Sequence, residues 1–169
     1  FWYVDMLDTN TALACGGGGT IIKSINGGIN WNYSTGGKKE LRGSYFLNVN
    51  TGYTTGMDGT ILKTTNSGNN WSNLNSGTPR FLRTVFFIDD NVGYTAGDTG
   101  TILKTTNSGL TWLPQNSRIT NNINSIKFVS NNIGVCACDS GKILRTSNGG
   151  TNWNTVFILP NDRKIRDIC

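Results

Sequence analysis

The chain is 169 residues long, with 36% hydrophobic residues, 15% charged residues and 22 glycines. That balance describes a folded, turn-rich β protein and excludes a disordered chain, and no apolar run is long enough to cross a membrane. The formal charge of +5 is scattered among acidic residues with no basic run, which argues against nucleic acid as a partner.

Four cysteines occur at Cys15, Cys136, Cys138 and Cys169, and none has zinc-site spacing. With no His in the chain a mixed Cys/His site is excluded, and we expect neither a metal nor a cofactor. Cys136 and Cys138 sit at alternate positions of a predicted strand, a poor geometry for a mutual disulfide, so buried thiols are the simpler reading.

In chain order, one pattern comes back four times. It reads GTIIKSINGGINW at residues 19–31, GTILKTTNSGNNW at 59–71, GTILKTTNSGLTW at 100–112 and GKILRTSNGGTNW at 141–153. Its tryptophans, Trp31, Trp71, Trp112 and Trp153, lie 40, 41 and 41 residues apart. Ahead of each copy stands a predicted inner strand (around Leu41–Arg42, Leu82–Arg83 and Ile123–Asn124). An Asn/Asp-rich turn and a small-residue strand such as Gly93-Tyr94-Thr95-Ala96-Gly97 follow. The first unit fits with Val4–Leu7 and Ala12–Gly16, and residues 165–168 read as the first strand of a fifth unit. No window carries apolar residues at helical spacing.

Four short strands per unit of about forty residues is the size of a propeller blade. The expected fold is therefore all-β: a β-propeller of four-stranded antiparallel blades, four complete repeats plus the first strand of a fifth. The expected blades are 1–40, 41–81, 82–122 and 123–163, with 164–169 opening the next. The chain opens at Phe1 without an initiator Met, so we expect an excerpt of a larger propeller. Closure of four blades with the extra strand as a clasp, or completion by another copy, are the other arrangements.

The repeated S/T-x-N-x-G-x-x-W segment has a mechanical logic. Asn66 can accept hydrogen bonds from turn amides, predicted two residues on, and Gly68 supplies positive φ. The Ser/Thr hydroxyl can satisfy a further amide, and Trp71 packs beneath the turn. Asn26, Gly28 and Trp31, then Asn107, Gly109 and Trp112, then Asn148, Gly150 and Trp153 repeat those places.

On these motifs the chain resembles the Asp-box (bacterial neuraminidase repeat) propellers, and within them the photosystem II assembly-factor-like group. The resemblance implies a structural role for the box turns, toward the outer part of each blade. Asn replaces the usual Asp at Asn26, Asn66, Asn107 and Asn148, which keeps the acceptor oxygen and removes the charge.

Related propellers include sialidases, whose chemistry needs an acid/base carboxylate and an activated nucleophile. The one Glu, Glu40, falls in a loop that reads as solvated; Tyr53 and Tyr94 recur in register as packing residues do; Asp58, Asp98 and Asp139 recur as turn residues. No catalytic residue is assigned and no enzyme is expected. Arg42, Arg83 and Arg166 share one repeat position, with Trp2 and Asn124 in the other units. First strands line a propeller's axis, so these residues form an arc that could hold a carboxylate, a phosphate or an acidic peptide end. The resemblance implies a protein partner engaged by an arginine-containing surface. A glycan-binding cell-surface or adhesin module is the alternative, and self-association through open blade edges a further possibility. A secreted, periplasmic or cell-surface location is expected. For Lys23, Lys63, Lys104 and Arg145, a second recurrent set, a long stem covering apolar blade surface is the expected role.

Overall fold

A computed structural model describes residues 1–34, 36–161 and 163–168. Its strands fall into four antiparallel sheets, each with its strands in sequence order. The first holds β1 (Tyr3–Met6), β2 (Ala12–Cys15), β3 (Ile21–Ser24) and β4 (Asn32–Ser34); the second β5 (Leu41–Phe46), β6 (Gly52–Gly56), β7 (Ile61–Thr64) and β8 (Ser72–Leu74). The third holds β9 (Leu82–Phe87), β10 (Gly93–Gly97), β11 (Ile102–Thr105) and β12 (Leu113–Gln115); the fourth β13 (Ile123–Phe128), β14 (Gly134–Cys138), β15 (Lys142–Thr146) and β16 (Asn154–Ile158). These are the blades of a β-propeller, stacked in succession through their inner strands β1, β5, β9 and β13. No helix of the described residues is long and apolar enough to cross a membrane.

The second strands explain the composition. Gly52–Gly56 and Gly93–Gly97 are buried from end to end, because the second and third blades each lie between two others. A three-ring pillar welds one blade to the next. Tyr53 of β6 stacks on Phe87 of the third sheet, ring centroids 4.0 Å apart, and Phe87 meets Trp112 edge-on at 6.0 Å. Tyr94 of β10 repeats this against Phe128 at 4.1 Å, with Trp153 at 5.8 Å from Phe128. Each such pair contributes about 0.5–1.5 kcal/mol beyond the area it buries.

Every box turn closes the hairpin between third and fourth strands with one hydrogen-bond pattern. In the third blade the Thr105 hydroxyl oxygen accepts from the Gly109 N–H at 2.9 Å, and Asn107 Oδ1 accepts from the Thr111 N–H at 2.9 Å. The same two bonds join Ser24 to Gly28 and Asn26 to Asn30, Thr64 to Gly68 and Asn66 to Asn70, and Thr146 to Gly150 and Asn148 to Asn152. The Asn therefore reaches the amide four residues on, where the sequence suggested two. The Ser/Thr hydroxyl takes the nearer amide instead, that of the Asn itself (Asn107 N–H to Thr105 Oγ1, 3.3 Å). Gly109 has φ +82, which only a residue without Cβ adopts at no cost.

Cys15, Cys136 and Cys138 are free, buried thiols, while Cys169 lies outside the described residues. Burial pushes Cys138 up to about 12 and Cys15 up to about 11, though a Thr54 hydroxyl hydrogen bond opposes the latter. Residues 163–168 run beside β13 without a strand ladder of their own. There the Ile165 N–H donates to Cys138 O as the Leu41 N–H does to Gly16 O three blades earlier.

Candidate functional site

The inner strands do more than line the axis; each carries a β-bulge at the residue of interest. Leu41 pairs with Gly56 and Gly43 with Thr55, so Arg42 is the extra residue. Arg83 stands in the same place between Leu82 and Thr84, and Asn124 between Ile123 and Ser125. A bulge re-aims its extra side chain out of the alternation of the strand. Here it turns three equivalent side chains toward a common cavity of about 340 Å3 lined by Trp2, Arg42, Arg83, Asn124, Arg166 and Asp167, among others. All four residues singled out as a binding arc, Trp2, Arg42, Arg83 and Arg166, thus border one space.

Their electrostatic states differ. Arg83 is committed: its Nε donates to the Asp98 carboxylate in a half-buried ion pair, and its guanidinium lies over the Phe81 ring at 5.4 Å. In the fourth blade Asn124 makes the neutral version of that pairing, donating to Asp139 Oδ1 at 3.0 Å and to the Ile165 carbonyl at 2.9 Å. Burial raises the Asp139 carboxyl, but hydrogen bonds from Asn124 and Asn122 and the Lys164 charge outweigh it and hold the group below its ordinary value. So two of the three turn aspartates brace the inner strands, while Asp58 pairs with Lys39 at 3.1 Å on the surface.

Arg42 is different. Its guanidinium stacks on the Trp2 ring, 5.2 Å from the centroid, and among the described residues it has no carboxylate in ion-pair reach. Burial and the Arg83 guanidinium, with Arg166 beyond it, push Arg42 below its ordinary value despite the opposing Glu40 charge. A half-buried cation under repulsion from two others is stabilised by an incoming anion, and its planar fork suits a carboxylate or phosphate. One acidic group faces the same space: Asp167, whose Oδ1 accepts from the Ser125 hydroxyl at 2.7 Å. Glu40, expected in a solvated loop, is half-buried, and its backbone carbonyl accepts from the Met57 N–H at 2.8 Å.

The family model described as photosynthesis system II assembly factor YCF48 matches residues 64–162. The chain belongs to this family. Among solved structures it superposes on one described as "YCF48 bound to D1 peptide" with a TM-score of 0.76 and 17% identity, over 98% of this chain and 56% of that one. An ancestral GH74 enzyme gives 0.75 at 18% identity, over 96% of this chain and 26% of that one. The computationally designed Ika8 protein gives 0.76 at 16% identity, over 98% of this chain and 51% of that one. At these identities the likeness is one of fold, and the chain spans about half the length of the YCF48 chain it matches. No curated protein matches it in sequence.

The recurrent lysines have a role beyond the one expected from sequence. The ammonium groups of Lys63 and Lys104 lie over the Tyr53 and Tyr94 rings, at 5.3 and 5.4 Å, and clamp the next blade. Lys63 Nζ donates to the Ser108 carbonyl at 3.2 Å and Lys104 Nζ to the Gly149 carbonyl at 2.9 Å. The signal was present, since both recur in register with the tyrosines that bond the same two carbonyls.

Proposed function

We propose that the chain is a non-catalytic binding module that takes an acidic segment or carboxyl terminus of a protein partner at the mouth of the arginine-lined cavity. The observation that carries this reading is the Arg42–Trp2 pair: a half-buried cation with no carboxylate in ion-pair reach among the described residues, beside two further arginines. Membership of the YCF48 family supports it, as does the D1 peptide held by the YCF48 structure. A glycosidase would need two carboxylates facing each other across the substrate, and the cavity's described lining supplies Asp167 alone. A secreted, periplasmic or cell-surface location belongs to the same proposal.

The test is fluorescence anisotropy with a labelled acidic peptide ending in a free carboxylate, its C-terminally amidated twin and a neutral oligosaccharide. Binding of the free-acid peptide, weakened about tenfold or more by Arg42→Ala, is the expected result. Equal binding by the Arg42→Ala variant, or preference for the oligosaccharide, rejects the reading.

A further inference from the structure

Two inner junctions, each between complete four-stranded sheets, carry equivalent grooves where the loop leaving one blade meets the head of the next blade's third strand. Between the second and third blades the groove is lined by Ser76, Gly77, Arg80 and Thr101, over the apolar Leu103 and Trp112. Between the third and fourth it is a space of about 390 Å3 lined by Ser117, Arg118, Asn121 and Lys142, among others. The two loops are built alike. Asn75 Oδ1 accepts from the Gly77 N–H at 3.0 Å, and Asn116 Oδ1 from the Arg118 N–H at 3.0 Å. The Ser76 and Ser117 hydroxyls donate to the Thr78 and Ile119 carbonyls, at 3.1 and 3.3 Å. Gly77 has φ +73, and Arg118 has φ +60 in the same place. A residue with a Cβ is therefore held in left-handed backbone that glycine would adopt freely, and such strain gathers where a side chain is needed for function.

A second repeat position changes at the same junction. Thr20, Thr60 and Thr101 stand at the head of the third strand in the first three blades, and Lys142 takes that place in the fourth. Asn121 takes the place of Arg80, and its Oδ1 accepts from Lys142 Nζ at 2.8 Å. Arg118 Nη2 donates to Asn152 Oδ1 at 3.1 Å. Neutral amides thus aim both cations without cancelling their charge. Among the described residues neither has a carboxylate in ion-pair reach, and no Asp or Glu lines the groove. Packing residues recur from blade to blade; these two cations break the repeat, side by side.

The groove opens at the same end of the blades as the arginine-lined mouth, because its loop runs straight into β13. Asn121 lines the groove and Asn124 lines the mouth, three residues and at most about 10 Å of chain apart. An extended peptide covers that distance in three residues, and the reach of its side chains adds one or two more. We infer that Arg118 and Lys142 form a second carboxylate subsite, which takes an acidic side chain three to five places before the carboxyl group held at the mouth. This rests on the reading of the mouth as a carboxylate site and adds a register to it. The ligand class follows from the lining: an Arg fork and a Lys point charge, both free to pair with an anion, set among neutral amides and hydroxyls.

The test is fluorescence anisotropy with two labelled peptides that share a free carboxyl end, one with Glu at the third, fourth and fifth places before it and one with Gln there. The wild-type chain should bind the Glu peptide about fivefold more tightly. The double variant Arg118→Gly, Lys142→Thr, which installs the residues of the earlier junction, should bind the two peptides equally. Arg118→Gly alone should lose part of the preference while its thermal midpoint holds or rises, since glycine suits the left-handed position. If the Gln peptide binds the wild type as tightly as the Glu peptide while Arg42→Ala still weakens both, the mouth keeps its role and the second subsite is overturned. If neither peptide binds, or Arg42→Ala changes nothing, the reading of the mouth fails and the subsite falls with it. A double variant that melts lower and keeps the preference assigns Arg118 to the structure of its loop, and overturns the inference as well.

Discussion

The hydroxyl of Tyr94 donates to the carbonyl oxygen of Gly149, 2.8 Å away and 55 residues later, across the junction of the third and fourth blades. The same ring lies flat on Phe128, so one side chain joins two sheets by a polar tip and an aromatic body.

Tyr94→Phe keeps the stack and removes the donor. Lys104 still donates to the Gly149 carbonyl, so the carbonyl is not orphaned. The loss should be about 1 kcal/mol of unfolding free energy, read from the midpoint of urea denaturation. Tyr94→Val, which installs the residue that the fourth blade has at Val135, also deletes the stack and should cost about 3 kcal/mol or more.

The box turns should respond to the hydroxyl more than to the charge. Thr105→Val leaves the buried Gly109 N–H without its acceptor and should cost about 1–3 kcal/mol. Asn107→Asp keeps the acceptor for Thr111 N–H and strengthens it by charge, so stability by thermal denaturation at neutral pH should hold or rise.

Arg83 is held by Asp98, which competes with any external anion. Asp98→Asn should therefore raise affinity for the acidic peptide by a few fold, in contrast to the loss at Arg42→Ala. Binding should also fall as salt is raised, because exposed charge attraction is screened within about 8–10 Å at physiological ionic strength. Anisotropy titrations at two salt concentrations check both.

Alkaline pH should loosen the junctions. Burial pushes Tyr94 up to about 12, and burial with a smaller push from Asp90 does the same for Tyr53. An unfolded tyrosine loses its proton near pH 10, so between about pH 10 and 12 the unfolded state binds fewer protons than the folded one. Stability is then level below pH 10 and falls above it, by on the order of 1 kcal/mol per pH unit for each residue. Urea midpoints at pH 8, 10 and 11 should fall only across the last interval, and less steeply in Tyr94→Phe.

The sequence by itself determined the box turn, the four-stranded blade and the fourfold repeat, because each turn and strand is written in a short local pattern and that pattern recurs every 40 or 41 residues. Strand alternation, turn glycines and the Thr-to-Gly spacing act locally, so they can be read from the chain without knowing its path. Even there, the reach of the Asn to the fourth amide instead of the second was decided by how tightly the turn coils. That the arginines share a repeat position was also legible; that Arg42, Arg83 and Asn124 are the bulged residues of their strands was not. A bulge depends on how two strands come into register, and only the paired partner reveals which residue is extra. The lysine clamps and the tyrosine-to-carbonyl bonds join residues 45 to 55 positions apart, and their meaning exists only once one blade lies on the next. Tertiary structure likewise decided how the arginines differ, since Asp98 reaches Arg83 through space while Arg42, among the described residues, meets the face of Trp2 and no carboxylate.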